Sequence, residues 1–263
     1  MFDQDPQPMP SLFLGHGAPD LLLSDLPARH FLENLRGRIP TPKAIVVASA
    51  HWRAPMLQMT GTAEQETIHD FYGWPAELYA LSYPVKGADW LNKRLSELLS
   101  AAGMSVSIGS RPGLDHGAWV PLSLMYPQAQ IPVVQLSLLA SDSPQDHFRV
   151  GQALSAVRRD GILVIGSGGL VHNLARLRPE GTPPETWASA FDDWLFDRLS
   201  EHDLQALLDV YTKAPNVRLA HPSVEHLMPL YVAMGAAWSD DKVERMHTSF
   251  SYGNLSMACY RFG

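Results

Sequence analysis

Ala44-Ile45-Val46-Val47-Ala48-Ser49, followed by Ala50 and His51, is an apolar run rich in β-branched residues that ends on a small hydroxyl and a histidine. A strand with one face in water alternates apolar and polar side chains, so an unbroken run marks a strand covered on both faces. Ile162–Gly166 reads the same way. Working outward, Ser11–Gly15, Leu57–Thr62, Ser105–Ile108 and Pro132–Leu138 are the other expected strands. Between them the apolar spacing turns helical over Pro27–Arg36, Ala88–Ala101, Pro144–Arg159, Pro184–Leu199 and Ser223–Met234. Prolines open several of these segments, and Gly37, Gly103 and Gly161 follow three of them. Val243–Ser251 and Leu255–Phe262, joined by Tyr252-Gly253-Asn254, read as a closing hairpin. This alternation predicts an α/β fold, a single domain with a central mixed β-sheet flanked by helices on both faces.

The chain has 263 residues, of which 46% are hydrophobic and only 18% charged, a composition that buries a large core and excludes disorder. Arg178–Pro184 is too short to link two domains, so residues 11–263 are expected to be one catalytic domain. Residues 1–10 are expected to be a flexible tail. A formal charge of −7 supplies no attraction to nucleic acid or to an anionic membrane, and neither is expected as a partner. The start of the chain lacks a cationic, apolar leader, which leads us to expect a cytoplasmic protein. A single cysteine, Cys259, excludes an internal disulfide and any thiolate cluster, whereas 11 histidines make imidazole the abundant ligand.

Position separates those histidines. In sheets covered by helices, ligand sites gather where strands end and loops converge. His16 follows one expected strand, His51 follows another, and His172 follows a third through the Gly166-Ser167-Gly168-Gly169 turn. His226 sits near the start of an apolar helix, and His116 lies between Asp115 and Gly117. His30, His147 and His202 read as structural or solvated residues, and His69, His221 and His247 are intermediate. The glycine-rich turn lacks the spacing of a dinucleotide or phosphate loop, and Ser167 lacks the glycine-flanked elbow of a serine hydrolase. Phe71-Tyr72-Gly73-Trp74-Pro75, with Trp52 and Trp119, suits the wall of a pocket for a flat ring, and core filling explains these aromatics equally well.

Six motifs stand in one order along the chain: Leu12-Phe13-Leu14-Gly15-His16-Gly17-Ala18-Pro19, Ser49-Ala50-His51-Trp52, Thr67-Ile68-His69-Asp70-Phe71, Asp115-His116-Gly117-Ala118-Trp119, Gly166-Ser167-Gly168-Gly169-Leu170-Val171-His172-Asn173 and Glu225-His226. Together they resemble the class III extradiol ring-cleavage dioxygenases (LigB-like), in the branch of DOPA 4,5-dioxygenase-like enzymes. The resemblance implies a non-haem metal site that opens the ring of a catechol-type substrate with O2. It implies Fe(II) for activity, and Zn(II) as an alternative metal in the isolated protein, because bacterial members are often isolated with zinc. His16 and His51 match two family ligands. His226 stands where better-studied relatives carry a glutamate, which implies a three-histidine set. His172 matches the acid–base histidine and can also serve as a fourth ligand, and His116 is placed to orient a substrate oxygen.

Three protein ligands on one side of an ion leave positions for both catechol oxygens and dioxygen, which explains why ring opening uses such a set. The same ligands suit a zinc-dependent amidohydrolase or esterase, the alternative reading, and metal identity with oxygen consumption separates the two. The expected partners are a small aromatic diol and O2, acting on a monomer or homodimer.

Overall fold

The structure is a computed structural model and describes residues 8–263. Eight strands form one mixed sheet: β1 (Ser11–Gly15), β2 (Ala44–Ala54), β3 (Leu57–Met59), then β5 (Val106–Ile108), β7 (Val133–Leu139), β8 (Ile162–Gly168), β9 (Val243–His247) and β12 (Cys259–Phe262). Short β4 (Glu66–Thr67) pairs with β6 (Gly113–Leu114), and β10 (Phe250–Ser251) with β11 (Leu255–Ser256). The sheet order is β5-β3-β7-β2-β8-β1-β12-β9. β7, β2, β8 and β1 run parallel in its centre, and β12 and β9 add antiparallel at one edge.

Successive residues of the central strands enter two different cores, as the two-residue repeat of a strand requires. Phe13, Val46, Ala48, Val134 and Val164 face one core, while Leu12, Leu14, Ile45, Val47, Val133 and Ile165 face the other. Helices Asp89–Ala101, Pro144–Leu154, Thr186–Ser200 and Met228–Gly235 cover the first face. Pro27–Leu35 and His116–Met125 cover the second. Both layers are therefore present, as the apolar runs require.

Several local expectations are corrected. Met9 and Pro10 are buried, and Met9 N–H donates to the Arg158 carbonyl at 3.0 Å, so the end of the expected tail is packed; residues 1–7 lie outside the described residues. The expected strand Leu57–Thr62 stops at Met59. Ser223–Met234 is not one helix, because a turn precedes the helix Met228–Gly235 and His226 lies in that turn. Helix His116–Met125 was not expected. It is apolar on all sides and so carries no amphipathic stripe, the mark of a helix enclosed by protein.

Helix Met228–Gly235 is buried along its whole length between the sheet and helix Pro144–Leu154. The two helices touch backbone to backbone: a methyl group on Gly151 would lie 2.2 Å from the Val232 carbonyl oxygen. Overpacking of this kind costs about 1–3 kcal/mol, worth roughly 2–4 °C of Tm per kcal/mol at this size. Gly151→Ala should therefore lower Tm by roughly 2–12 °C in a thermal scan. Gly37→Ala, with nothing within 4 Å of the added methyl, should leave Tm nearly unchanged.

Candidate metal centre

The carboxyl ends of β1, β2 and β8 open onto one crevice, where a sheet covered by helices can present side chains without breaking its core. His16 is the first residue after β1 and is 2% exposed. His51 lies within β2, where the pairing with β7 shifts register between Ala48 and Arg53. Such an irregularity bends the strand and re-aims its side chains. His226 arrives from the opposite side, in the turn before Met228–Gly235. Its carbonyl accepts from Gly169 N–H at 2.9 Å and would lie 2.2 Å from a methyl on Gly168, so the glycine-rich turn after Ser167 admits a second chain segment rather than a phosphate.

The three imidazoles converge through the same nitrogen. Nε2 of His51 is 3.1 Å from Nε2 of His16 and 3.3 Å from Nε2 of His226. Behind each ring stands an oxygen. Ser167 Oγ donates to the Gly117 carbonyl, so its lone pairs accept from His16 Nδ1–H at 3.0 Å. Glu225 Oε1 accepts from His226 Nδ1–H at 3.1 Å and from Ser223 Oγ at 3.0 Å, and Asp70 Oδ2 lies 3.6 Å from His51 Nδ1. A proton on Nδ1 leaves a lone pair on Nε2, so the Nε2 atoms of His16 and His226, whose Nδ1–H groups have acceptors, each present a lone pair beside His51 Nε2.

Electrostatics keep these rings neutral. Burial first, then the neighbouring imidazoles, holds His16 and His226 well below the ordinary value of 6.5. Burial and then His116 bring His51 down to about 3, and burial followed by His51 brings His172 down to about 4. Burial alone would raise Asp70, but its hydrogen bonds from His116 and the charge of that ring outweigh burial and hold it at about 2. Neutral imidazoles with converging lone pairs suit a divalent transition metal. Nitrogens about 2.0–2.1 Å from a shared ion lie roughly 3.0–3.4 Å apart, as these do.

His116 is also at hand. Its ring centroid is 4.0 Å from that of His51, and the donor atoms of His16, His51 and His116 all lie within 4.8 Å of one another. His116 opens the helix His116–Met125, and both its backbone N–H and Nδ1 donate to Asp70 Oδ1, at 3.0 and 2.9 Å. Asp115 caps this helix by accepting from Ala118 N–H at 3.1 Å. It also receives Ser49 Oγ at 2.6 Å and pairs with Arg111 at 3.2 Å. The helix start thus comes so close to the cluster that a methyl on Gly117 would lie 2.5 Å from Ser49 Oγ and 2.9 Å from His51 Cδ2. His172 stacks on His226, with ring centroids 3.5 Å apart and planes 6° from parallel.

A cavity of about 500 Å³ opens over the cluster, lined by His51, His116, His172 and His226, with Phe71 and Trp74 in its wall. The rest of the expected aromatic pocket does not line it: Tyr72 is 91% exposed, Trp119 is buried under its own helix, and Trp52 stacks with Arg111. The histidines read as structural remain apart. His147 accepts from Leu139 N–H and donates to the Ser143 carbonyl, and His30 and His202 are exposed. His221 is buried with Nε2 donating to the Leu170 carbonyl, His69 Nε2 donates to the Leu81 carbonyl, and His247 stacks on Phe31. Asp70, Ser167 and Ser223 received no role from the sequence reading, although Asp70 and Ser167 fall inside the quoted motifs.

Comparison with known proteins agrees with this geometry. Residues 24–263 match the family described as the catalytic LigB subunit of aromatic ring-opening dioxygenase. A 4,5-DOPA dioxygenase extradiol of Beta vulgaris is 42% identical over 261 residues, covering 96% of each chain. One of Escherichia coli is 37% identical over 263 residues, covering 97% of this chain and 95% of that one. The crystal structure of an uncharacterized Escherichia coli K12 protein has a TM-score of 0.80 at 33% identity, over 97% of this chain and 100% of that chain. The chain belongs to the LigB family of aromatic ring-opening dioxygenases and is a metal-dependent, non-haem extradiol dioxygenase.

Proposed function

We propose that the protein opens the ring of a substituted catechol with O2, using Fe(II) held by His16, His51 and His226. The convergence of three Nε2 lone pairs, each with an oxygen behind its ring, is the observation that carries this reading. Zn(II) fits the same nitrogens and is the metal we expect in protein isolated without added iron. When bound, a ferrous ion supplies open coordination positions and electrons that bring both catechol oxygens and dioxygen into reach of one another.

The chain does the rest. Phe71 and Trp74 offer apolar wall to the ring and exclude water from it. His116 donates Nδ1–H to Asp70, which leaves Nε2 as an acceptor that holds a substrate hydroxyl. Burial, then His51, pulls His172 down to about 4, so its imidazole is neutral and offers a lone pair to a proton leaving the substrate. Stacking against His226 fixes the plane of its ring. All these groups come from one chain, so a monomer suffices. No described helix is long and apolar enough to cross a membrane, and the one cysteine is buried and free, which suits a reducing cytoplasm.

Reconstitution with Fe(II) under argon, then oxygen-uptake measurements across a panel of catechols, tests the function. The expected result is oxygen consumption with a yellow semialdehyde product. Turnover of esters or amides by the zinc form, with none of catechols, would reverse it. His51→Ala should lose the bound metal by elemental analysis. His172→Ala should keep metal and catechol binding while losing about 10²- to 10⁴-fold in rate. If His172→Ala loses the metal as fully as His51→Ala does, His172 is a fourth ligand. Without metal, the fold should be most stable above pH 6.5. His51 stays neutral in the folded chain down to about pH 3, whereas an unfolded chain takes up protons from 6.5 downward. Denaturant unfolding of the metal-free protein should show stability falling steadily across that window.

A further inference from the structure

Three stretches of chain that wall the cavity are joined, away from the histidines, by the turn Tyr252-Gly253-Asn254 between β10 and β11. Leu255 follows the turn and lines the cavity. Leu174 and Ala175 line it from the stretch after His172, and Ala18 and Pro19 from the stretch after His16. The turn is bonded along its length to the stretch after His172. Tyr252 N–H donates to Glu180 Oε2 at 3.2 Å, and the Tyr252 carbonyl accepts from Arg178 N–H at 2.9 Å. The Gly253 carbonyl accepts from Glu185 N–H at 2.9 Å, and Asn254 Nδ2 donates to the Arg176 carbonyl at 2.8 Å. The stretch after His16 is reached by a side chain instead: the Tyr252 hydroxyl donates to Asp20 Oδ2, one residue beyond Pro19.

The backbone gives no reason for a tyrosine there. Tyr252 has φ 53° and Gly253 φ 74°. Consecutive left-handed residues favour Asn-Gly or Asp-Gly, and a bulky side chain in that region is disfavoured. Strain of this kind persists where the side chain has a task. The task visible here is the bond to Asp20, whose carboxylate has no other side-chain partner among the described residues.

We propose that Tyr252 is a positioning residue that ties the Ala18–Pro19 wall of the cavity to the wall made by Leu174 and Leu255, and so holds the cavity in the shape that grips the substrate. The reacting groups are fixed by other means. His16 is backed by Ser167 and His226 by Glu225, while His172 stacks on His226 and its backbone N–H donates to the Ala220 carbonyl at 2.9 Å. The tether therefore acts on binding shared by substrate and transition state, whose loss raises KM and leaves kcat nearly unchanged.

Tyr252→Phe keeps the ring and the backbone and removes the bond. The dissociation constant of 4-methylcatechol, measured under argon on the metal-loaded protein, should rise about three- to tenfold, the scale of a hydrogen bond to a charged group, and KM should rise with it. The metal content and kcat should hold. Tyr252→Asn suits the turn better, so its Tm should hold or rise while its affinity falls as in Tyr252→Phe; a merely structural residue would move Tm and affinity together. Asp20→Ala should match Tyr252→Phe, and the double variant should bind no more weakly than either. Arg176 and Leu177 are exposed, so trypsin should nick the metal-free Tyr252→Phe variant between them faster than the wild type. Unchanged affinity in Tyr252→Phe, or Tm and affinity falling together in Tyr252→Asn, would overturn this role. Should the wild type bind no catechol, the ring-opening function fails by itself and the nicking rate decides the tether: faster nicking supports it and an unchanged rate overturns it.

Discussion

Three imidazole lone pairs held within 3.3 Å along the sequence of contacts His16, His51, His226 are an arrangement a folded chain does not reach by packing alone. Without a proton or a cation between them the lone pairs repel, and protonation is opposed by burial. Each ring has an oxygen behind it, hydrogen-bonded for His16 and His226 and 3.6 Å away for His51. Ser167, Glu225 and Asp70 each present an oxygen to an Nδ1, and each oxygen is placed by a different part of the fold. Ser167 lies in β8, Glu225 in the turn before the buried helix, and Asp70 in the loop that receives the start of helix His116–Met125.

That constraint explains the close approaches around the site. The glycine-rich turn, read in isolation, invites a phosphate, yet Gly168 is needed because the His226 carbonyl lies where a side chain would begin. Gly117 has the same explanation. Its carbonyl receives Ser167 Oγ, which in turn fixes the His16 tautomer, and a methyl at this position would push into Ser49 and His51. The buried Asp115 ties this corner together. It caps the helix and accepts from Ser49 Oγ and Gln135 Nε2, so helix, β2 and β7 share one polar anchor beneath the cluster. Burial raises the Asp115 carboxyl, an effect that Arg111 opposes.

The surroundings of the five site histidines divide the chemistry. His16 and His226 are almost fully enclosed, and His51 is partly open to the cavity beside His116. His116 has a carboxylate partner that dictates which nitrogen carries its proton, whereas His172 has a stacked imidazole neighbour and a low affinity for protons. Such different environments fit the different tasks proposed for the two histidines.

Much of this was legible in the residues. Unbroken apolar runs at Ala44–Ser49 and Ile162–Gly166 declared central strands because only burial on both faces tolerates them, and His16, His51 and His172 stood out by following strands. Helix His116–Met125 was hidden because a helix enclosed on all sides has no amphipathic repeat to read. Asp70, Ser167 and Ser223 were equally hidden, since a short polar side chain near a histidine in sequence says nothing about which ring it will back. The sequence by itself determined the alternation of strands and helices, the poverty of thiol ligands and the placing of His16 and His172 after strands, all of which follow from local patterning, whereas His51 lies inside β2, which runs on to Ala54. Only the tertiary structure decided which imidazoles meet, through which nitrogen and against which oxygens. His226 and His51 are 175 residues apart, and long-range packing of the buried helix against β8 is what brings their nitrogens together.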